Sequence, residues 1–220
     1  MRSGSVQGAE YGATWGALST LIDADGSARA GATLALARRD APVRDLVDAV
    51  HCLCLLHGRH PGVVEIAASR AGDPVAQAWL AEVVAGFTVE RAFLVRLMSA
   101  AGPLPSTPGQ AETEAAIASQ RHALDMLARS ERPGCATGAA MALVFDWGAI
   151  RGVLDAAATR MGITVPRSAL PDGGDSATVL TTLAANAGFE RAALFGAQQL
   201  LAQHRGLWSL LAARATARSR

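Results

Sequence analysis

The sequence predicts an all-α fold, and both its composition and the spacing of its apolar residues support that prediction. Half of the residues are hydrophobic and 18% are charged, which supplies a core and argues against disorder. Alanine and leucine dominate the composition, and both lose little conformational freedom in a helix. No segment alternates apolar and polar residues over more than four positions, as a half-buried strand does. We therefore expect a single-domain helical bundle of five to six main helices.

The length of 220 residues suits one domain, with short segments outside it. Residues 1–11 are rich in glycine and serine, so we expect a flexible N-terminus. Residues 12–213 carry the helical patterns and are expected to form the bundle. Residues 214–220 contain three arginines and are expected to form a flexible C-terminal tail.

Cap and turn residues divide the first half of the chain. The acidic turn at 23–26 separates two short helices, and Asp40 is a good N-cap for the next one, with Pro42 in its first turn. Gly58 ends that helix, and Pro61 begins a short successor. Asp73 followed by Pro74 is a strong start signal for a long helix. The expected helices are 13–22, 28–39, 40–57, 61–70 and 74–101.

Prolines and glycines also divide the second half. Thr107 and Gln110 form a capping box after a proline-rich connector, and Pro133-Gly134 precedes an apolar helix. The stretch 163–175 is the longest expected loop, after which Ser176 opens a terminal helix of up to about 38 residues. The expected helices are 107–130, 136–161 and 176–213. A break in the last of them is possible near Gly188 or Gly206.

Charge and composition exclude several classes of partner. The net charge is +1, and all 20 basic residues are arginine, so the protein has no overall electrostatic field that would attract nucleic acid or anionic membranes.

The start of the chain lacks the regions of a signal peptide. The longest apolar stretch stops at Asp146, far short of the roughly 20 residues of a membrane span. The three cysteines form no disulfide framework or zinc knuckle, so we expect a cytoplasmic protein.

Six polar residues fall on apolar faces of the expected helices. Glu90 lies in the middle of an apolar stripe, Asp146 lies about 40° from the centre of another, and His57 continues a third. A bare charge in a core costs several kcal/mol or more, so such groups are paired, protonated or bound to a ligand. The candidate pocket residues are Glu90, Asp146, Glu190, His57, Asn186 and His204.

Histidines cluster at the end of the third helix and suggest a metal site. His57 and His60 are separated by a Gly-Arg turn that would let them converge, and Glu65 is near enough in sequence to join them. Imidazole and carboxylate are common zinc ligands. The sequence therefore predicts His57, His60 and Glu65 as the ligand set of a metal ion, on the strength of one short motif.

A short internal repeat connects two acidic positions. Glu90-Arg-Ala-Phe-Leu resembles Glu190-Arg-Ala-Ala-Leu, and both follow Ala-Gly-Phe. This pattern resembles the duplicated helix pairs of ferritin-like carboxylate bundles, which implies a related architecture by analogy only. That family also requires a Glu-x-x-His motif, which this chain lacks; the nearest substitute is Asp48-x-x-His51.

Two functions fit these residues. In the first, Glu90, Asp146, Glu190 and His57 line an internal pocket for a small molecule or a metal ion, with oxidative or metal-assisted chemistry. In the second, the protein mediates helical interaction or homo-oligomerisation without a ligand, and Arg91, Arg151 or Arg191 pairs with the buried carboxylates. No nucleophile elbow, Walker loop or dinucleotide-binding motif is present in the sequence, so no reaction is specified.

Overall fold

The structure is a computed structural model that describes residues 12–103 and 109–218. Within these ranges the chain forms nine α-helices, a single turn of 3-10 helix at Ser27–Arg29 and no strand, which confirms the all-α prediction. The helices are α1 (Ala13–Asp25), α2 (Gly31–Leu36), α3 (Val43–His57), α4 (Val63–Arg70), α5 (Pro74–Ala101), α6 (Gln110–Ala128), α7 (Cys135–Met161), α8 (Gly173–Leu183) and α9 (Ala187–Arg218).

The nine helices of the described residues exceed the expected five to six main helices. One reason is that the expected terminal helix is divided into two. Helix α8 begins at Gly173, three residues before Ser176, and Asp172 caps it by accepting hydrogen bonds from the backbone N–H groups at 174 and 175. Asn186 precedes α9 and accepts a hydrogen bond from the N–H of Gly188 at 2.8 Å. The break is therefore at 184–186, and Gly206 lies inside α9 without interrupting it.

The C-terminal segment extends a helix where a tail was expected. α9 continues to Arg218, and its last turns pack on α3 through ion pairs. Arg214 Nε lies 3.1 Å from Asp48 Oδ2, and Arg218 pairs with both Asp45 and Asp48. The flexible segment expected at 1–11 and the capping residue Thr107 lie outside the described residues.

Helix α7 forms the centre of the bundle. Between residues 135 and 147, Ala136 and Phe145 alone are partly exposed, which confirms that the first half of this helix is surrounded by neighbours. α7 packs against α3, α4, α5, α6 and α9. It is also the one described helix that is long and apolar enough to span a membrane, but 78% of its most apolar window is buried inside the fold.

Candidate functional site

Four of the six candidate residues are buried at the centre of the bundle. His57 comes from α3, Glu90 from α5, Asp146 from α7 and His204 from α9, and each is 8% exposed or less. Their helices present them inward because each lies on the apolar face of its helix. Their hydrogen bonds form two separate networks, one around Glu90 and one around Asp146.

Glu90 is one half of a buried ion pair. Arg151 Nη1 donates to both of its carboxylate oxygens, at 2.6 and 2.9 Å, and Trp147 Nε1 donates to Oε2 at 3.0 Å. Arg151 also donates to Asp155 at 2.7 Å and to the carbonyl oxygen of Pro166. The carboxylate and the guanidinium therefore satisfy each other, and this pairing with Arg151 was one of the alternatives that the sequence offered.

The second network is a chain of hydrogen bonds from Ser27 to His57. Ser27 donates to Asp146 twice, from its backbone N at 2.6 Å and from its Oγ at 2.5 Å. Asp146 Oδ2 lies 2.5 Å from His204 Nδ1, and His204 Nε2 lies 3.0 Å from His57 Nε2. Trp208 Nε1 donates to Ser27 Oγ at 2.7 Å. We call Asp146, His204 and His57 the relay.

The surroundings of the relay set its charges. Burial acts to raise the pKa of Asp146, but hydrogen bonds from His204 and Ser27 outweigh it and lower that pKa, so the carboxylate is ionised. Burial, followed by the charges of His204 and Arg91, holds the pKa of His57 well below its usual value, so its imidazole is neutral. An ionised Asp146 requires the hydrogen-bonded nitrogen of His204 to carry a proton.

His57 also lines a cleft at the surface of the bundle. The cleft has a volume of about 290 Å³ and is bounded by the turn after α3, the start of α4, α5 and α6. Its lining is rich in arginine, with apolar contributions from Phe87 and Leu143 among others. We call it the arginine cleft, after Arg59, Arg91, Arg121 and Arg129.

Among the residues that the structure describes, most of these arginines have no acidic partner. Arg91 pairs with Glu65, yet its Nε is buried and has no hydrogen-bond partner within the described part of the chain. Arg59, Arg121 and Arg129 form no ion pair with any residue in the ranges 12–103 and 109–218. Arg121 and Asp125 share a face of α6, and Arg129 follows four residues later, immediately after the end of that helix. The side chains that line the cleft therefore carry a net positive charge.

The other residues predicted from the sequence do not join these two networks. Glu190 is half-buried and accepts a hydrogen bond from Thr14 at 2.8 Å, while Asn186 is exposed at the start of α9. His60 Nδ1 lies 3.8 Å from Glu65 Oε1, but His57 is bonded to His204 instead of converging with them. Across the described part of the chain, no three His, Cys, Asp or Glu side chains are grouped as metal ligands.

Sequence reasoning missed Ser27 and the arginine cleft. Ser27 lies in a short turn between two helices, where no periodicity marks it as buried, although it is 1% exposed. The spacing of Arg121, Asp125 and Arg129 was a readable signal, since it places three charges on one helical face. Nothing in that spacing indicates that these residues line a cleft together with His57.

A profile of a family of unknown function (DUF6975) matches residues 22–219. No curated protein and no solved structure matched the chain. The matched range contains the relay, the Glu90–Arg151 pair and the complete lining of the arginine cleft.

Proposed function

The chain belongs to DUF6975, a family of unknown function, and from its own geometry we propose that it binds a small anionic molecule in the arginine cleft. The observation that carries this proposal is the group of three cleft arginines without an acidic partner among the described residues: Arg59, Arg121 and Arg129. Guanidinium groups in one concave site repel one another, and an anion bound between them relieves that repulsion.

The chemistry of the lining favours phosphate or carboxylate groups. Guanidinium presents N–H donors in a fork that matches both of these anions. The volume of about 290 Å³ is at the lower end of the range for small-molecule pockets, so the occupant is a small metabolite. Apolar atoms of Phe87 and Leu143 provide a surface for its carbon skeleton.

An anion fits the cleft better than the metal ion that the sequence suggested. A cation would meet four guanidinium groups, against the carboxylates of Asp125 and Glu65. Glu65 is already engaged by Arg91 and by the backbone N–H of Gly62 at 2.7 Å. The proposal therefore keeps the predicted small-molecule ligand and assigns it to the arginine cleft.

The Glu90–Arg151 pair supports a scaffold role for those two residues. Its donors and acceptors are used within the bundle, as the alternative of an interaction or homo-oligomerisation protein requires. That observation concerns Glu90 and does not explain the cleft arginines that have no acidic partner among the described residues. We therefore place Glu90 in the scaffold and the ligand in the cleft.

Isothermal titration calorimetry with inorganic phosphate, sulfate and citrate tests the proposal. We expect at least one of these anions to bind, and Arg121→Gln to weaken that binding about tenfold or more, because a charged hydrogen bond contributes about 1.5–3 kcal/mol. Arg44→Gln is the matched control, since Arg44 is exposed at the start of α3 and away from the cleft. The absence of binding by all three anions, or equal binding by Arg121→Gln, would contradict the proposal.

A further inference from the structure

A second cleft opens at the point where α7 begins. It has a volume of about 410 Å³ and lies between the end of α4, the start of α5 and the turn that precedes α7. Alanine, glycine and proline residues form much of its wall, together with the ring of Phe189. Its lining residues are all different from those of the arginine cleft. We call it the α7 cleft.

The first turn of α7 presents two backbone N–H groups that have no acceptor among the described residues. Gly134 precedes the helix and has no side chain that could cap it. The N–H of Cys135 bonds to a carbonyl oxygen of the preceding turn at 3.1 Å, and the regular bonds of the helix begin with the N–H of Gly138. The two groups between them belong to Ala136 and Thr137, which both line the cleft. A helix of 27 residues also carries a partial positive charge at this end.

The side chain of Thr137 supplies a third donor. The residue is 6% exposed, and its hydroxyl forms no hydrogen bond with the described residues. The oxygen is not sealed inside the core, and the α7 cleft is the opening that this side chain lines. Thr113, which is buried in the first turn of α6, instead donates to the carbonyl oxygen of Gly109 at 2.8 Å. A buried hydroxyl without a partner costs free energy, and a ligand that accepts its hydrogen bond removes that cost.

The charged groups around the α7 cleft favour a ligand with a single negative charge. Glu131 is paired with Arg70 at 2.7 Å, so these two charges offset each other. Asp73 caps α5 by accepting hydrogen bonds from the backbone N–H groups at 75 and 76. Arg132 has no acidic partner in the described part of the chain. Because Asp73 would repel a phosphate dianion, a carboxylate fits this surface better.

We propose that the α7 cleft binds the carboxylate of a small organic acid, held by the N–H groups of Ala136 and Thr137, the hydroxyl of Thr137 and the guanidinium of Arg132. Backbone N–H groups at the start of a helix bind anions in this way. The small apolar residues of the wall contact the carbon chain of the acid. The site is separate from the arginine cleft, and the inference does not depend on the function proposed above.

A titration of nitrogen-15-labelled protein with butyrate, followed by amide NMR at constant ionic strength, tests this inference. We expect the amide signals of Ala136 and Thr137 to shift and to saturate as their N–H groups bond to the carboxylate. Thr137→Val keeps the shape of the side chain and should weaken butyrate binding about tenfold or more, because a hydrogen bond to a charged group is lost. Thr88→Val is the matched control, since Thr88 is exposed on α5 and its hydroxyl bonds within its own helix.

A second variant covers the case in which Thr137→Val does not fold. Arg132 is exposed, so Arg132→Gln should fold normally and should also weaken butyrate binding. Wild-type affinity in both variants would overturn the assignment of these donors.

The same spectra separate this site from the arginine cleft, because the amides of Arg121 and Arg129 report on the latter. Saturable shifts at Ala136 and Thr137 with phosphate, and none with butyrate, would overturn the assignment of a carboxylate. Amide signals at these two positions that move with neither ligand would overturn the site, whatever is observed at Arg121 and Arg129.

Discussion

At the scale of single residues, Glu90 depends on the donors that surround it. The side chain is fully buried, and a carboxylate in that position is tolerated only with close hydrogen-bonding partners. Arg151 and Trp147 supply three hydrogen bonds to it. Arg151 is nearly as buried and relies on Glu90 for its charge balance, since its other acidic partner, Asp155, is more exposed.

Replacing Glu90 by glutamine should therefore destabilise the fold. The side chain keeps its shape but loses its charge, which leaves Arg151 with an uncompensated charge in the core. We expect the free energy of unfolding, measured with urea, to fall by about 3–5 kcal/mol. Glu82→Gln is the control on the same helix, because Glu82 is exposed. A stability equal to or above that of the wild type would instead indicate that Glu90 is held in the core for a functional purpose.

At the scale of elements, glycines allow α7 and α9 to approach closely. A Cβ atom added to Gly138 of α7 would lie 2.0 Å from the backbone oxygen of Ala193 in α9. A Cβ atom added to Gly196 of α9 would lie 2.0 Å from the backbone oxygen of Cys135 in α7. The two helices are in contact through their backbones at these points, and this contact aligns Asp146 with His204 further along.

Two alanine substitutions on α7 should have opposite effects. Gly138→Ala forces the helices apart, so we expect it to lower the free energy of unfolding by about 1–3 kcal/mol, as overpacking does. Gly148→Ala has no neighbouring atom within 4 Å and should raise it by about 0.5–1 kcal/mol, because alanine favours the helix. Urea denaturation of both variants measures the difference. A stabilised Gly138→Ala variant would show that the helices do not pack in this way.

At the scale of the whole molecule, stability depends on pH through its buried histidines and Asp146. Burial lowers the pKa of His57 below 6.5, and burial also lowers the pKa of His51 in the same direction. The unfolded chain therefore binds protons that the folded chain does not. The contribution of these two histidines to the free energy of unfolding is complete above about pH 6.5, and it declines as the pH falls below that value. The lowered pKa of Asp146 adds a contribution that is present above 3.8 and is lost as the pH falls through its folded pKa.

We expect the melting temperature to fall between pH 7 and pH 5. Each proton taken up on unfolding lowers the free energy of unfolding by about 1.4 kcal/mol per pH unit. His57→Gln should make the decline shallower, because one of the responsible groups is removed. His122→Gln is the control, since His122 is exposed on α6 and should leave the decline unchanged. A melting temperature that is constant over this range in the wild type would contradict the neutral state of His57.

The sequence by itself determined the all-α class, the approximate position of most helices and the direction in which several polar residues point. Apolar periodicity placed His57, Glu90, Asp146 and His204 on inward faces, and all four are buried. Such reasoning works because the angle of a side chain around its own helix is a local property, fixed by 100° per residue. It failed for Asn186, which lies in the break before α9 and is exposed. Glu190 follows that break in the first turn of α9 and is half-buried.

The tertiary structure decided which of these inward faces meet. His57 and His204 are 147 residues apart in the sequence, and Asp146 and His204 are 58 apart. The four cleft arginines come from α5, α6 and the turns next to α3 and α6. Periodicity describes each helix about its own axis and contains no information on which helix lies opposite. That choice follows from how all the helices pack together, including the glycine contact between α7 and α9 that brings Asp146 next to His204.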